Sequence, residues 1–456
     1  MGITPHHRMS GVRAFVLLLV SLAVGCNGCN QPSELNRAAG LGWRGFVDTD
    51  LQFSEFYGSA HTLTARFMLQ YPRAYVAPIL AVNGSGTFLI AKDILTPRLI
   101  ARTAGTQAVF SNPSLVAGHW YHLAVVRSGN QLTFYLDGNK ICPDGVTGCT
   151  VAAGTTPSGN LRLGRLTNGS NLVGHEAQFY GLVDDVAVLT KALTQAEISA
   201  LRQAPRITGN ESQLLAGYTF DELTPAKQPL PPALSRPVTM GTLTMGTTLP
   251  GAPAYLALVS LQRLDSIDVK FLPPPIQQAA LELPFAQGEV WQVGQGWEGN
   301  ISHNGRAAFA WDFNIAGQPA SATNGKAIYA AAGGLVVETR NDRNSCSGYP
   351  ANYVMIQQAA GEIGAYLHFV KGTVQPAQNA NLANGAYLAD AGDTGNTGCG
   401  SYHLHFGHHN LPESQAGSLV TFPAAFSNYE VSTDGGQTWQ TVQRGVPQQG
   451  EWLRRQ

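Results

Sequence analysis

The chain carries little charge. Its 456 residues include 28 Lys and Arg against 29 Asp and Glu, 12% in all, for a formal net charge of −1. No basic field is present to hold nucleic acid or anionic lipid, so no nucleic-acid partner is expected. Cysteine is scarce too, at 6 residues. Only one stretch, at the N-terminus, is apolar enough to approach a membrane-crossing segment, and the remainder is expected to be soluble. Glycine and proline are plentiful instead: 51 Gly and 26 Pro point to a turn-rich, mainly β architecture rather than a helical one. A hydrophobic content of 44% excludes disorder of the whole chain. The length accommodates two or three domains of roughly 100 to 200 residues each.

At the N-terminus, Arg8 and Arg13 precede an apolar run over residues 14–20 that continues through Ser21, Leu22, Ala23, Val24 and Gly25. This run is below the roughly 20 residues a spanning helix needs, so residues 1–25 read as an export signal. Leu22-Ala23-Val24-Gly25-Cys26 resembles a bacterial lipoprotein box, with Leu one place further from the cysteine than usual. The resemblance implies that Cys26 is acylated and that residues 26–40 form a tether. Asn27 stands where inner-membrane retention signals of many Gram-negative lipoproteins place Asp, which implies an outer-membrane lipoprotein facing the periplasm or the surface. The alternative is an ordinary signal cleaved nearby, with Cys26 and Cys29 incidental and the protein secreted. Export permits disulfides, and Cys142 with Cys149 and Cys346 with Cys399 are the plausible couples, although four cysteines allow three pairings.

Residues 41–223 read as short strands punctuated by turns. Residues 120–127 (WYHLAVVR) and 131–136 (QLTFYL) flank Ser128-Gly129-Asn130, and the second run ends in Asp137-Gly138, a hairpin series. Leu132, Phe134 and Leu136 then share one face, with Tyr135 on the other, which predicts a sheet with one buried face. Strands are also expected at residues 161–164, 180–188 and 215–220. Thr194 with Glu197 forms a capping box ahead of Ile198 and Leu201, which predicts one short helix. The order of "HWYHLAVVRSGNQLTFYLDGNKI", "LRLGRL" and "FYGLVDDVAVLTKALTQAEISAL" resembles the concanavalin A-like, laminin G-like jelly rolls. That resemblance implies a β-sandwich that binds or spaces, often toward glycans or proteins and sometimes with calcium. Asp184 and Asp185 are adjacent strand residues that point to opposite faces, so solvated or turn-bonded carboxylates are expected there rather than calcium ligands.

Residues 224–278 are rich in proline, including Pro231, Pro232, Pro273, Pro274 and Pro275. They predict a semi-rigid connector that holds two functional halves apart, with strands inside it near residues 255–261 and 267–271.

From residue 279 onward histidines gather in β-like runs. In Tyr402-His403-Leu404-His405-Phe406 the alternation puts both imidazoles on one strand face, where they meet the same metal or substrate. Ala365-Tyr366-Leu367-His368-Phe369 supplies another strand histidine. His303 falls in a turn, and Asp312 lies in an apolar run where its carboxylate requires a cation or several donors. These runs, "LPFAQGEVWQVGQGWEGNISHNGRAAFAWDF", "KAIYAAAGGLVVE", "NYVMIQQ", "GAYLHF" and "GDTGNTGCGSYHLHF", resemble in order the lysostaphin-like zinc metallo-endopeptidases that cut peptidoglycan cross-bridges. The resemblance implies an antiparallel β metallopeptidase domain over residues 279–456. It also implies a zinc ion on His303, Asp312 and His405, with His368 and His403 as catalytic histidines. Two imidazoles and one carboxylate leave an open fourth position, where a bound water ionises near neutral pH. His368 and His403 would orient or deprotonate that water and stabilise the oxyanion and the departing amine.

Three departures from the family pattern stand out. His303 and Asp312 are separated by eight residues, a spacing longer than the commonest one. An extra Cys399-Gly400-Ser401-Tyr402 precedes His403. Gly407 replaces an acidic residue, followed by His408 and His409, which are expected to be loop residues. The reading is an exported zinc endopeptidase acting on peptidoglycan peptides, with the jelly roll for placement on a glycan or protein ligand. Truncated of residues 41–223, such an enzyme is expected to keep its action on soluble muropeptides. Two rival readings remain: an inactive envelope-binding or regulatory protein, and a secreted protease acting on proteins.

Overall fold

The computed structural model describes residues 37–41, 45–71, 77–93, 96–104, 106–164, 179–204, 206–220, 238–242, 255–258, 277–359, 362–409 and 421–456. The export signal, Cys26, Cys29, the tether as far as residue 36 and the run at 267–271 lie outside the described residues. Among the described residues no helix is long and apolar enough to cross a membrane.

The N-terminal half is a sandwich of two antiparallel sheets of nine and seven strands. Trp120–Ser128 and Gln131–Leu136 pair as a hairpin, and Asp137 and Gly138 take positive φ angles of 51° and 78° to turn into Asn139–Ile141. Leu132, Phe134 and Leu136 are buried between the sheets with Phe110, while Tyr135 stays half-buried on the outer side. That outer side is not left to solvent. Helix Gln195–Gln203 lies over it and buries Ile198 against Ala124, Val126, Ala187 and Leu189. The capping box forms: the Glu197 amide donates to Thr194 Oγ1, and the Thr194 amide donates to Glu197 Oε2 at 2.9 Å.

Two features depart from the sequence expectation. Asp184 and Asp185 are buried, not solvated. They sit where the register of strand Gly181–Leu189 shifts against His61–Leu69, with Asp185 at φ 44°. There Asp185 accepts from Arg66 Nε at 2.9 Å and from the Ile207 amide. Arg66 Nη2 donates to the carbonyls of Leu201, Arg202 and Ala204 at the helix C-terminus, so the pair joins sheet to helix. The Pro-rich segment is the second case. Its strand Tyr255–Leu258 pairs with Arg37–Leu41, and Val238–Thr242 pairs with Gly45–Gln52, so both extend the sandwich's sheets.

The C-terminal half is built on a ten-stranded antiparallel sheet with a two-stranded ribbon beside it. Its core holds Phe285, Trp291, Trp311, Phe313, Tyr366, Phe406 and Phe426. Strand Leu404–His409 lies between Trp311–Ile315 and Glu362–Leu367 near the centre of the sheet, where its backbone is paired on both sides. The two halves are not held apart. Tyr71 and Tyr180 of the sandwich share a buried cluster with Ala308, Phe309 and Phe422 of the C-terminal half.

Candidate active site

The sheet register sets the site. Asp312 is directly opposite His405, and Leu367, the last residue of its strand, is also opposite His405. His368 follows one residue past that strand at φ 74°, a left-handed conformation costly for a residue with a Cβ. The strain is held by Asn352, whose carbonyl accepts from the His368 and Phe369 amides and whose side chain donates to the Phe369 carbonyl. His403 pairs in a bridge with Gly392 just ahead of its strand. A Cβ added at Gly392 would lie 2.9 Å from the His368 carbonyl oxygen, so this close approach requires glycine. His303 comes from the loop between Val290–Gln295 and Trp311–Ile315.

All five residues singled out in the sequence converge. His303 Nε2 lies 3.1 Å, His405 Nδ1 2.9 Å and His403 Nε2 3.6 Å from Asp312 Oδ1. One ligand atom each from His303, Asp312 and His405 falls within a mutual 4.8 Å. The His368 and His403 rings lie 4.7 Å apart, with His368 5.8 Å from His405.

Backbone carbonyls fix the tautomers. His303 Nδ1 donates to the Gly296 carbonyl at 2.8 Å, His368 Nδ1 to Thr394 at 2.6 Å and His403 Nδ1 to Ser401 at 2.7 Å. Each neutral ring therefore turns the lone pair of Nε2 to the cleft. The lone pairs of His303 and His403 then face the same carboxylate oxygen, an arrangement that is repulsive unless a cation lies among them. The donor set thus fits a metal ion of the kind that imidazole and carboxylate bind.

Electrostatics follow from this packing. Burial alone would raise Asp312, but its interactions with His403, His303 and His405 hold its carboxyl well below the usual carboxylate range. Burial drives His368 well below the usual imidazole value, aided by His403 and His405 and opposed by the Thr394 carbonyl and Asp312. His405 is lowered by burial as well, against the pull of Asp312.

Residues outside the sequence reading complete the site. Gln295, at a register shift opposite Asp312, donates to Asp312 Oδ2 at 2.9 Å and to Ser302 Oγ, while its Oε1 accepts from the Ile301 and Ser302 amides. It ties the carboxylate to the His303 loop. His408 and His409 are strand residues, not loop residues: His408 is buried and 3.3 Å from Glu362, and His409 lines the cleft. A Cβ at Gly407 would fall 2.2 Å from His409 Nε2, which explains the glycine at that position.

The cleft encloses about 700 Å³, with Ile301 and Tyr349 exposed on its rim and Met355, Ala365 and Leu367 on an apolar wall. Asn396, Thr397 and Ser401 line it from the loop tied by the Cys346–Cys399 disulfide. The second disulfide, Cys142–Cys149, closes a small loop of the sandwich.

Residues 314–416 match the model of peptidase family M23, and residues 49–199 match that of the concanavalin A-like lectin/glucanases superfamily. His368, His403 and His405 lie inside the first match, and His303 and Asp312 precede it. Similar solved structures include the catalytic domain of the prophage-encoded M23 protein EnpA from Enterococcus faecalis. It has 18% identity over 31% of this chain and 94% of that one, with a TM-score of 0.23. A zinc-containing peptidase from Vibrio cholerae has 23% identity over 29% and 37% of the two chains, with a TM-score of 0.22. A carbohydrate-binding candidate from Bacteroides ovatus has 15% identity over 52% of this chain, a TM-score of 0.33, and 62% of its own length spanned. This chain joins a domain matching the concanavalin A-like superfamily to a domain matching peptidase family M23.

Proposed function

We propose that the protein is a zinc metallo-endopeptidase that hydrolyses peptide cross-links of bacterial peptidoglycan. The observation that carries this reading is the convergence of His303, Asp312 and His405 ligand atoms within 4.8 Å at the cleft, with His368 and His403 beside them. Zinc held by those three residues supplies a Lewis acid and a water that ionises near neutral pH. His368, kept neutral by burial, takes up a proton at Nε2 and returns it to the departing amine. His403, oriented by its Nδ1 bond to the Ser401 carbonyl, would in its protonated form donate from Nε2 to the oxygen on which charge develops. The Met355, Ala365 and Leu367 wall excludes water beside these groups and strengthens their electrostatic action.

We further propose that residues 1–25 are an export signal, that Cys26 anchors this enzyme in the cell envelope as a lipoprotein, and that the jelly roll binds a glycan or protein there. Mass spectrometry of muropeptides incubated with the purified protein, with and without a chelator, tests the activity. Chelator-sensitive loss of cross-linked species is expected, and unchanged muropeptides with the zinc-loaded chain would refute it. For the anchor, Cys26→Ser is expected to shift the protein from the membrane fraction to the soluble or unprocessed one. Unchanged fractionation would remove it.

A further inference from the structure

The His303 loop is anchored from the jelly roll as well as from its own domain. Its neck closes where the Glu298 amide donates to the Ala308 carbonyl at 2.7 Å, and Trp297 and Phe309 flank that neck. Beyond the neck the loop is tied within its own domain at a few points, by Gln295 to the Ile301 and Ser302 amides, by His303 Nδ1 to the Gly296 carbonyl and by the Thr421 amide to the Arg306 carbonyl, and Ile301 at its tip is exposed. Both flanking rings meet the jelly roll. Tyr71 lies edge-on to Phe309 at 5.0 Å and to Trp297 at 6.0 Å, and Tyr180 packs on Phe309 at 5.1 Å. The two tyrosines lie just beyond the paired strands His61–Leu69 and Gly181–Leu189, where the Gln70 amide donates to the Tyr180 carbonyl, so they are held by a sheet. Trp297 also packs on Trp311, the neighbour of Asp312, at 5.4 Å. Beside the rings, the charge of Glu298 acts on the buried Lys92 of the sandwich.

We infer that the jelly roll positions the metal-ligand loop: Tyr71 and Tyr180 clamp Trp297 and Phe309, and the clamp holds His303 at its distance from Asp312. This rests on the reading of His303, Asp312 and His405 as zinc ligands. The reason is geometric. His303 is the one ligand from a long loop, whereas Asp312 and His405 sit on adjacent strands in register. Loosening its support separates the ligands without removing any of them. Groups that orient ligands from outside the coordination sphere typically govern 10- to 100-fold in metal affinity.

The test uses the full-length chain and zinc, with a chromogenic chelator in competition at fixed pH and hydrogen exchange over residues 296–310 in the metal-free protein. Tyr71→Ala is expected to weaken zinc binding by about 10-fold, and Tyr71→Ala with Tyr180→Ala by more. Exchange over the loop should accelerate in both. Tyr71→Phe, which keeps the ring, should behave as the wild type. Phe134→Leu perturbs the sandwich core away from the junction and should leave zinc affinity unchanged. Wild-type affinity and exchange in the folded double variant would overturn the inference, as would an equal loss in Phe134→Leu. If the double variant does not fold, Tyr71→Ala decides by the same readouts. A wild-type chain that binds no zinc refutes the ligand assignment, while loop exchange still reports on the clamp.

Discussion

Asp312 is the point on which the rings converge, because three imidazole nitrogens lie within 3.6 Å of one of its oxygens. His405→Ala removes a ligand, and zinc per chain measured by elemental analysis is expected to fall well below one equivalent. Full occupancy in that variant would overturn the assignment. His368→Ala leaves the three ligands in place, so zinc content should hold while turnover drops by about 10²- to 10⁴-fold. Loss of metal there would mean that the two classes of histidine are wrongly sorted. Gln295→Ala frees the second oxygen of Asp312 and the amides of Ile301 and Ser302 together, and about 10- to 100-fold weaker zinc binding is expected in a chelator titration. The five titratable residues were legible in the sequence because alternation along a strand and motif order carry their signal. Gln295 was not, since a glutamine at a strand end is ordinary until the register shift aims it. His409 was missed for a related reason: Gly407 before it and Asn410 after it read as turn residues, whereas Gly407 is what leaves room for its ring within the strand.

Among elements, the hairpin at residues 120–136 and the capped helix were readable because their determinants are local. Alternating apolar residues bury one face, and Thr194 and Glu197 satisfy amides three residues apart. The register shift at Asp184 and Asp185 was not readable. Period-2 alternation assigns adjacent residues to opposite faces, whereas the irregularity buries both and turns Asp185 onto Arg66. Strand Tyr255–Leu258 falls where the apolar run at residues 255–261 predicts one, whereas Val238–Thr242 was masked by surrounding prolines, although edge positions tolerate such neighbours. The buried pair gives a prediction at this scale. Arg66→Met leaves Asp185 without its cation and frees three helix carbonyls, so a loss of about 3 to 5 kcal/mol is expected by denaturant unfolding. Arg66→Met with Asp185→Leu should recover a substantial part. A single variant within about 0.5 kcal/mol of wild type would show that the pair does not hold the helix to the sheet.

Across the whole molecule, the shared cluster of Tyr71, Tyr180, Phe309 and Phe422 changes what truncation is expected to do. Removing residues 41–223 would bare the rings beside the His303 loop, so the truncated chain should lose activity on soluble muropeptides as well as on sacculi. Acid acts on the same unit from the sandwich side. Burial drives His61 down to about 4, against the Ser59 carbonyl and with the help of Arg127, and burial drives His122 down to about 3, with the charges of Arg66 and Arg202 adding to it. Both rings titrate near 6.5 once unfolded, so below that pH the unfolded chain binds protons that the native state refuses. Stability from these two groups is therefore complete above about pH 6.5 and is lost as pH falls toward 4 for His61 and 3 for His122. By pH 4 the loss of stability from His61 alone amounts to about 3 kcal/mol. Calorimetry of the metal-free chain from pH 7.5 to 4.5 should show a falling transition temperature, with a shallower slope in His61→Gln. Identical slopes in the two proteins would mean that His61 is not buried in its neutral form.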